Sequence, residues 1–151
     1  MPRSTASSRP ERWADHAAQR LSEAGYRRGG ARGAVIGLLD TQECALSAIE
    51  IEDRLRRRRN QASRASIYRV LEELEGLGLV SRLELGAGLA RFETVRGEAH
   101  HHHLVCDDCG DIVPFADDEL EQAIRRVSRR LPHEISGHDV TLHGLCAGCR
   151  A

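Results

Sequence analysis

The stretch His100–Gly110, His-His-His-His-Leu-Val-Cys-Asp-Asp-Cys-Gly, constrains the fold more than any other, because it asks for metal. Cys106 and Cys109 stand at C-x-x-C spacing, and Cys146-Ala-Gly-Cys149 repeats it near the last residue. Two thiolates so spaced occupy one tight turn, and Gly110 permits the chain reversal after the first pair. Two such knuckles supply four soft ligands, the tetrahedral all-thiolate set of a structural zinc ion. Disulfide pairing is the alternative. No apolar signal segment precedes the domain, so a reducing compartment in which thiols persist is expected.

The four histidines lie between polar Glu98-Ala99 and apolar Leu104-Val105, which reads as the entry to a strand. Successive side chains of a strand point to opposite faces. His100 and His102 then face one way and His101 and His103 the other, so one stretch can feed two metal sites on opposite sides of a sheet. A solvated polar run would also explain the composition, but ligation by at least one pair is the reading we carry forward.

Charge divides the chain. Residues 1–92 carry 16 Arg against 12 Asp and Glu, whereas residues 93–151 carry 6 Arg against 11 acids. A basic front half and an acidic, ligand-rich back half suggest a polyanion-binding part and a metal-binding part. With 40% hydrophobic residues and no apolar run of membrane-spanning length, the chain reads as a soluble globular protein. Its 151 residues suffice for one domain or two small ones.

Residues 1–10 are small, polar and basic, and read as a disordered tail. Trp13, Ala17, Leu21 and Ala24 mark one face of a helix over residues 11–24, ended by Gly25. Arg27 to Gly33 reads as a flexible basic loop, either solvated or touching phosphate, before a short helix using Ala34, Val35, Leu38 and Leu39. Ser47-Ala48-Ile49-Glu50 is a capping box for a helix to about Arg58 that buries Ala48, Ile51 and Leu55. Arg56 to Arg59 put positive charge where that helix dipole favours it. After a turn at Asn60-Gln61-Ala62, Ser63 or Ser66 caps the next helix, whose core face is Ile67, Val70, Leu71, Leu74 and Leu77. Arg64, Ser66, Tyr68 and Arg69 lie opposite that face. Two helices joined so, the second carrying Arg, Ser and Tyr at its start, match a helix-turn-helix whose second helix enters the major groove. Residues 79–85 and 89–93 alternate about Gly86-Ala87-Gly88 as a β-hairpin, completing a winged helix with Arg82 and Arg91 placed to touch the DNA backbone. A generic helical core would account for the pattern without DNA.

Residues 95–99 form a plausible hinge. Beyond the first knuckle, Ile112 to Phe115 is a short strand that Pro114 confines to an edge or strand end. Asp117 or Asp118 caps a helix to about Leu131, expected to bury Leu120, Ile124, Val127 and Leu131. Residues 138–145 alternate as a last strand into the second knuckle. Some fifty residues can barely bury a core alone, so zinc and a partner subunit are both expected.

Together these residues resemble the ferric uptake regulator family of bacterial metal-responsive repressors. The carriers are Ser66-Ile67-Tyr68-Arg69-Val70-Leu71, Phe92-Glu93, His100 through Gly110, Phe115-Ala116-Asp117-Asp118 and Gly144-Leu145-Cys146-Ala147-Gly148-Cys149, in the family's order from Glu11 onward. The resemblance implies an α+β protein: a winged helix-turn-helix DNA-binding domain over residues 11–94, the hinge, and a small α/β dimerisation and metal-binding domain over residues 100–151. It implies a cytoplasmic homodimer without membrane attachment, repressing metal-homeostasis genes from palindromic double-stranded operators. A divalent metal near the hinge, iron or zinc as co-repressor, raises its DNA affinity.

Carried over by position, Cys106, Cys109, Cys146 and Cys149 resemble the structural zinc site. Glu93, His101 and His103 resemble the regulatory site, and His100, His102, Glu121 and His138 a second site in the dimerisation domain. Tyr68 and Arg69 resemble the recognition-helix DNA contacts, joined by Arg64 and Ser66, and Arg27 falls near a minor-groove contact. Two departures stand out. Where the family commonly offers a regulatory His, the chain reads Glu43-Cys44-Ala45-Leu46, so Cys44 is either a substitute ligand or a buried thiol. A family acidic ligand falls on Pro114, which has no ligating side chain. Glu93 with two imidazoles suits Fe(II), Mn(II) or Zn(II), and Cys44 would tilt the site toward Zn(II). Alternatives are the family's peroxide-sensing branch, whose usual Asp is Glu93 here, and a zinc-stabilised interaction module without DNA binding. An enzyme is disfavoured, since no H-E-x-x-H or nucleophile motif is present.

Overall fold

The fold is that of a computed structural model, described for residues 12–86, 88–96 and 100–150. The expected tail at 1–10, Glu11 of the first helix, Ala87 of the wing turn and residues 97–99 of the hinge lie outside the described residues. Two compact units form: residues to Glu84 with Leu89–Arg96, and Leu85–Gly88 with residues from 97 onward. No described helix is long and apolar enough to cross a membrane.

In the first unit, α1 (Trp13–Glu23) buries Trp13, Ala17 and Leu21. The Trp13 indole N–H donates to the Leu79 carbonyl at 3.1 Å, which satisfies its one polar atom inside the core. Helix α2 (Gly30–Leu39) overturns the expected flexible loop, because Gly30-Ala31-Arg32-Gly33 is its first turn. Glycine opposes helix locally. Burial of Val35, Ile36, Leu38 and Leu39 outweighs that, and the Arg32 guanidinium is tied to the Glu73 carboxylate at 2.7 Å and lies over the Tyr26 ring at 5.4 Å.

A two-residue strand, β1 (Leu46–Ser47), leads directly into α3 (Ala48–Arg57). Ser47 and Glu50 form the capping box: the Ser47 Oγ accepts from the Glu50 N–H at 3.2 Å, and the Glu50 carboxylate accepts from the Ser47 N–H at 2.8 Å. Helix α4 (Arg64–Gly76) is capped by Ser63, not Ser66, and buries Ile67, Val70, Leu71 and Leu74. Strands β2 (Val80–Glu84) and β3 (Ala90–Thr94) pair antiparallel, and β1 adds to the other side of β3, giving the order β1-β3-β2. Phe92 of β3, 2% exposed, plugs this small sheet onto the helices. Arg91 does not stand free for DNA as expected. Its guanidinium binds the Glu50 carboxylate at 2.7 Å and is only 16% exposed, because the capping-box carboxylate lies across from it.

The second unit is a three-stranded sheet, β5-β4-β6, made of β4 (His102–Cys106), β5 (Ile112–Phe115) and β6 (Thr141–Gly144). Strand β5 is antiparallel to β4 and lies at an edge, where Pro114 needs no ladder N–H. Helix α5 (Asp118–Ser128), capped by Asp117, carries the chain back so that β6 runs parallel to β4. The expected burial of the α5 face is not met. No residue of α5 is fully buried, Val127 is 55% exposed, and Leu131, three residues past the helix, is 49% exposed. Three short strands offer too little surface to cover the helix. Beyond residue 100, the buried described residues are His102, His103, Val105 and Cys106.

Burial pushes the Glu50 carboxyl up, but the Ser47 N–H and hydroxyl and then the Arg91 charge prevail and hold it below the usual carboxylate range. Its contribution is therefore complete above about pH 4.3 and lost as pH falls through the folded value. Glu50→Gln, which keeps the cap but not the charge, should destabilise the first unit by about 1 kcal/mol at neutral pH. The difference should vanish in acid. Chemical denaturation followed by fluorescence of the single tryptophan, Trp13, measures it at both pH values.

Candidate metal centres and nucleic-acid interface

Parallel pairing sets Cys106 of β4 beside Gly144 of β6, so the turns that follow the two strands emerge together. In the first turn the Gly110 N–H closes onto the Cys106 carbonyl at 2.9 Å, with Gly110 at φ 73°. In the second the Cys149 N–H closes onto the Cys146 carbonyl at 3.0 Å. The Cys146 N–H donates to the Cys106 sulfur at 3.3 Å, stitching one knuckle to the other. The four sulfurs lie within 4.8 Å of one another, and Cys109 Sγ to Cys146 Sγ is 3.8 Å. Sulfurs about 2.3 Å from a central zinc form a tetrahedron with edges of about 3.8 Å, whereas disulfide sulfurs lie about 2.05 Å apart. No disulfide joins any of the five cysteines.

Backbone N–H groups of Cys109 and then Cys146 pull the Cys106 thiol down to about 6, so it is thiolate at neutral pH. Cys149 is pushed far up by the Asp108 carboxylate and then by the Cys146 sulfur. The four-cysteine cluster fits a structural zinc ion.

On one face of the histidine strand, the His102 Nε2 meets the Glu121 Oε1 at 2.8 Å, and the His138 Nε2 meets the same oxygen at 3.1 Å. The His100 Nε2 lies 3.1 Å from the His138 Nε2. Hydrogen bonding from His138, then from His102, overcomes desolvation and keeps the Glu121 carboxyl below its ordinary range. Helix α5 presents Glu121, the segment before β6 presents His138, and β4 with its approach presents His100 and His102. Three imidazole nitrogens and a carboxylate oxygen converge within 4.8 Å, a donor set suited to a divalent ion. The His102 Nδ1 is buried and has no hydrogen-bond partner among the described residues.

His101 and His103 fall together on the other face, with ring centroids 5.0 Å apart. Glu93, of the same expected set, lies on β3 of the first unit next to buried Phe92. Cys44 is half-buried in the bend before β1. One pairing was not expected from sequence: His143 of β6 meets Asp107 of the first knuckle at 2.9 Å. Alternation around His143 gave its strand but not a partner 36 positions away.

On α4, Tyr68 is 41% exposed and Arg69 is exposed without an ion-pair partner among the described residues. Arg64 stands at the expected helix start but is held by Glu52 at 2.7 Å, so phosphate would have to compete for it. Ser66 is half-buried and bonds back to Ser63 within the cap. Arg27 is exposed beside α2, while Arg32 of the same basic run is consumed by Glu73.

The pattern of the Ferric uptake regulator family matches residues 23–143. The ferric uptake regulation protein of Vibrio anguillarum is 32% identical over 130 residues, spanning 85% of this chain and 87% of that one. The crystal structure of the Vibrio cholerae ferric uptake regulator aligns with a TM-score of 0.76 and 32% identity, over 85% of this chain and 98% of that one. The Helicobacter pylori regulator, described as having three functional metal-binding sites, aligns with a TM-score of 0.79 at 28% identity, over 91% and 94% of the two chains.

Cys146→Ser removes one of the four sulfurs. Zinc released on denaturation should fall by about one ion per chain, and β-structure of the second unit should be lost. Trp13 fluorescence, which reports the first unit, should be unchanged. A colorimetric zinc assay with circular dichroism reads both.

Proposed function

The chain belongs to the ferric uptake regulator family, a family of metal-responsive regulators, and from that premise we propose that it is a metal-dependent DNA-binding repressor. The observation that carries the reading is the convergence of His100, His102, Glu121 and His138 on one point, in a chain whose other unit exposes Tyr68 and Arg69 on a capped recognition helix. In this reading Cys106, Cys109, Cys146 and Cys149 hold a structural zinc ion. Glu93, His101 and His103 hold the sensed ion, with Cys44 as a candidate fourth ligand.

Glu93 precedes residues 95–99 in the chain, and the two histidines follow them. Joint ligation by all three residues would tie the units and favour the arrangement in which two winged helices meet successive major grooves. A bound divalent ion supplies only charge and fixed ligand directions there. Tyr68 and Arg69 then meet base edges and phosphates, and Arg64 joins them by exchanging Glu52 for phosphate.

The homodimer is supported by the apolar surface left open on the second unit. Leu104, Val113 and Leu142 are cross-strand neighbours on one face of the sheet, and each is more than 40% exposed. Such a contiguous patch calls for a covering surface. Leu142→Glu should convert a dimer to a monomer with zinc retained, as sedimentation measures.

For the sensing site, Glu93→Ala or His101→Ala should raise the free metal needed for half-maximal DNA binding by about tenfold or more. Zinc content and the melting of the first unit should stay as in the wild type. Anaerobic fluorescence anisotropy on a palindromic duplex, titrated separately with Fe(II), Mn(II) and Zn(II), tests this and identifies the co-repressor. Wild-type behaviour in both variants would remove these residues from the site.

A further inference from the structure

Three helices of the first unit end in the same turn. The N–H two residues beyond the helix cap returns to a carbonyl five residues earlier: Tyr26 to Leu21 at 2.9 Å, Leu79 to Leu74 at 2.9 Å, and Asn60 to Leu55 at 3.0 Å. The turn requires a left-handed residue just before that N–H. At the ends of α1 and α4 it is glycine, Gly25 at φ 85° and Gly78 at φ 68°. At the end of α3 it is Arg59, at φ 59°, the one non-glycine residue with positive φ among those described. A Cβ is strained in that conformation and glycine is not.

Among the described residues, no side-chain partner of Arg59 recovers the cost. The Arg59 side chain is exposed and has no carboxylate in ion-pair range among the described residues, and the same holds for Arg57 and Arg58. Their neighbours differ: Arg54 is bonded to Gln42, Arg56 to Glu52 and Asp53, and Arg64 to Glu52. The helix dipole does not call for Arg59 either. Its pull fades beyond the last turn, where Arg54, Arg56 and Arg57 already stand. What distinguishes Arg59 is its place in the turn joining α3 to α4, five positions before Arg64. When a recognition helix enters a major groove, the preceding helix crosses the sugar-phosphate backbone, so the joining turn rides over phosphates. Strained residues persist where function uses them.

We propose that Arg59 is a phosphate-contacting residue of the helix-turn-helix turn, kept in a glycine position for its charge at the expense of stability. This rests on the DNA-binding reading above. Two labelled duplexes probe it, one selected from a random-sequence pool by the wild-type protein with Mn(II), the other of mixed sequence and equal length. Anisotropy is measured across a salt series, and thermal unfolding is followed by Trp13 fluorescence.

Arg59→Gly should raise the midpoint by about 4 °C or more. It should also weaken both duplexes by about tenfold and flatten the salt slope by about 0.9 per engaged subunit. Arg59→Lys, which keeps both charge and strain, should keep the wild-type midpoint and slope. A stabilised Arg59→Gly with wild-type affinity and slope overturns the proposal, and so does a midpoint that fails to rise. If the wild type binds neither duplex, the DNA-binding reading falls and takes this one with it. If Arg69→Ala abolishes binding while Arg59→Gly leaves it intact, this proposal alone is overturned.

Discussion

The parallel pairing of β4 with β6 is the contact on which the second unit depends. It is a non-local pairing, Cys106 beside Gly144, and the connection through β5 and α5 exists to make it possible. Once made, it delivers two cysteine turns to one place and lets the Cys146 N–H reach the Cys106 sulfur. The unit otherwise buries little, and the buried set beyond residue 100 includes two histidines and a cysteine among its four members. A hydrophobic core so small cannot offset the chain entropy of fifty residues. The four cysteines and the exposed face of Leu104, Val113 and Leu142 are what the unit offers in place of that core.

The first unit follows a different economy. Its helices meet around Trp13, Leu39, Ile51, Leu71 and Phe92, and the indole N–H of Trp13 is satisfied within that core. Its arginines are sorted by the same logic. Arg32 and Arg91 are drawn into partly buried ion pairs with Glu73 and Glu50 and become structural. Tyr68 and Arg69 remain on the outward side of α4. A net count of basic residues overstates the charge available to a polyanion, because acids within the unit claim part of it.

Much of this was legible in the sequence. Period 3.6 gave α1, α3 and α4. Ser47 fixed the start of α3 and Asp117 that of α5. Ser63 proved the cap of α4 rather than Ser66, and α1 has no side-chain cap to mark its start. The alternation of His100–His103 anticipated that His100 and His102 lie together and His101 and His103 on the other face, since pleating is a local property. What could not be read was non-local. The first turn of α2 looked like a loop because two of its residues are glycine, and the tie that holds it lies on Glu73, 41 residues on from Arg32. Strand β1 is two residues long and exists only as a partner of β3. The burial expected for Val127 and Leu131 came from amphipathic spacing, which says which face is apolar but not whether anything covers it.

The composition of β4 has a consequence for its alignment. Strands normally hold their register because a slip of one position sends buried residues to solvent. Here a slip would exchange one pair of histidines for another, and Leu104 for Val105, leaving each face chemically much as it was. The hydrophobic pattern therefore cannot choose between the two alignments. Cys106 can, because only one of them brings its sulfur to the other three. The thiolate cluster acts as the peg that indexes the strand. By fixing the frame, it decides which histidines face Glu121.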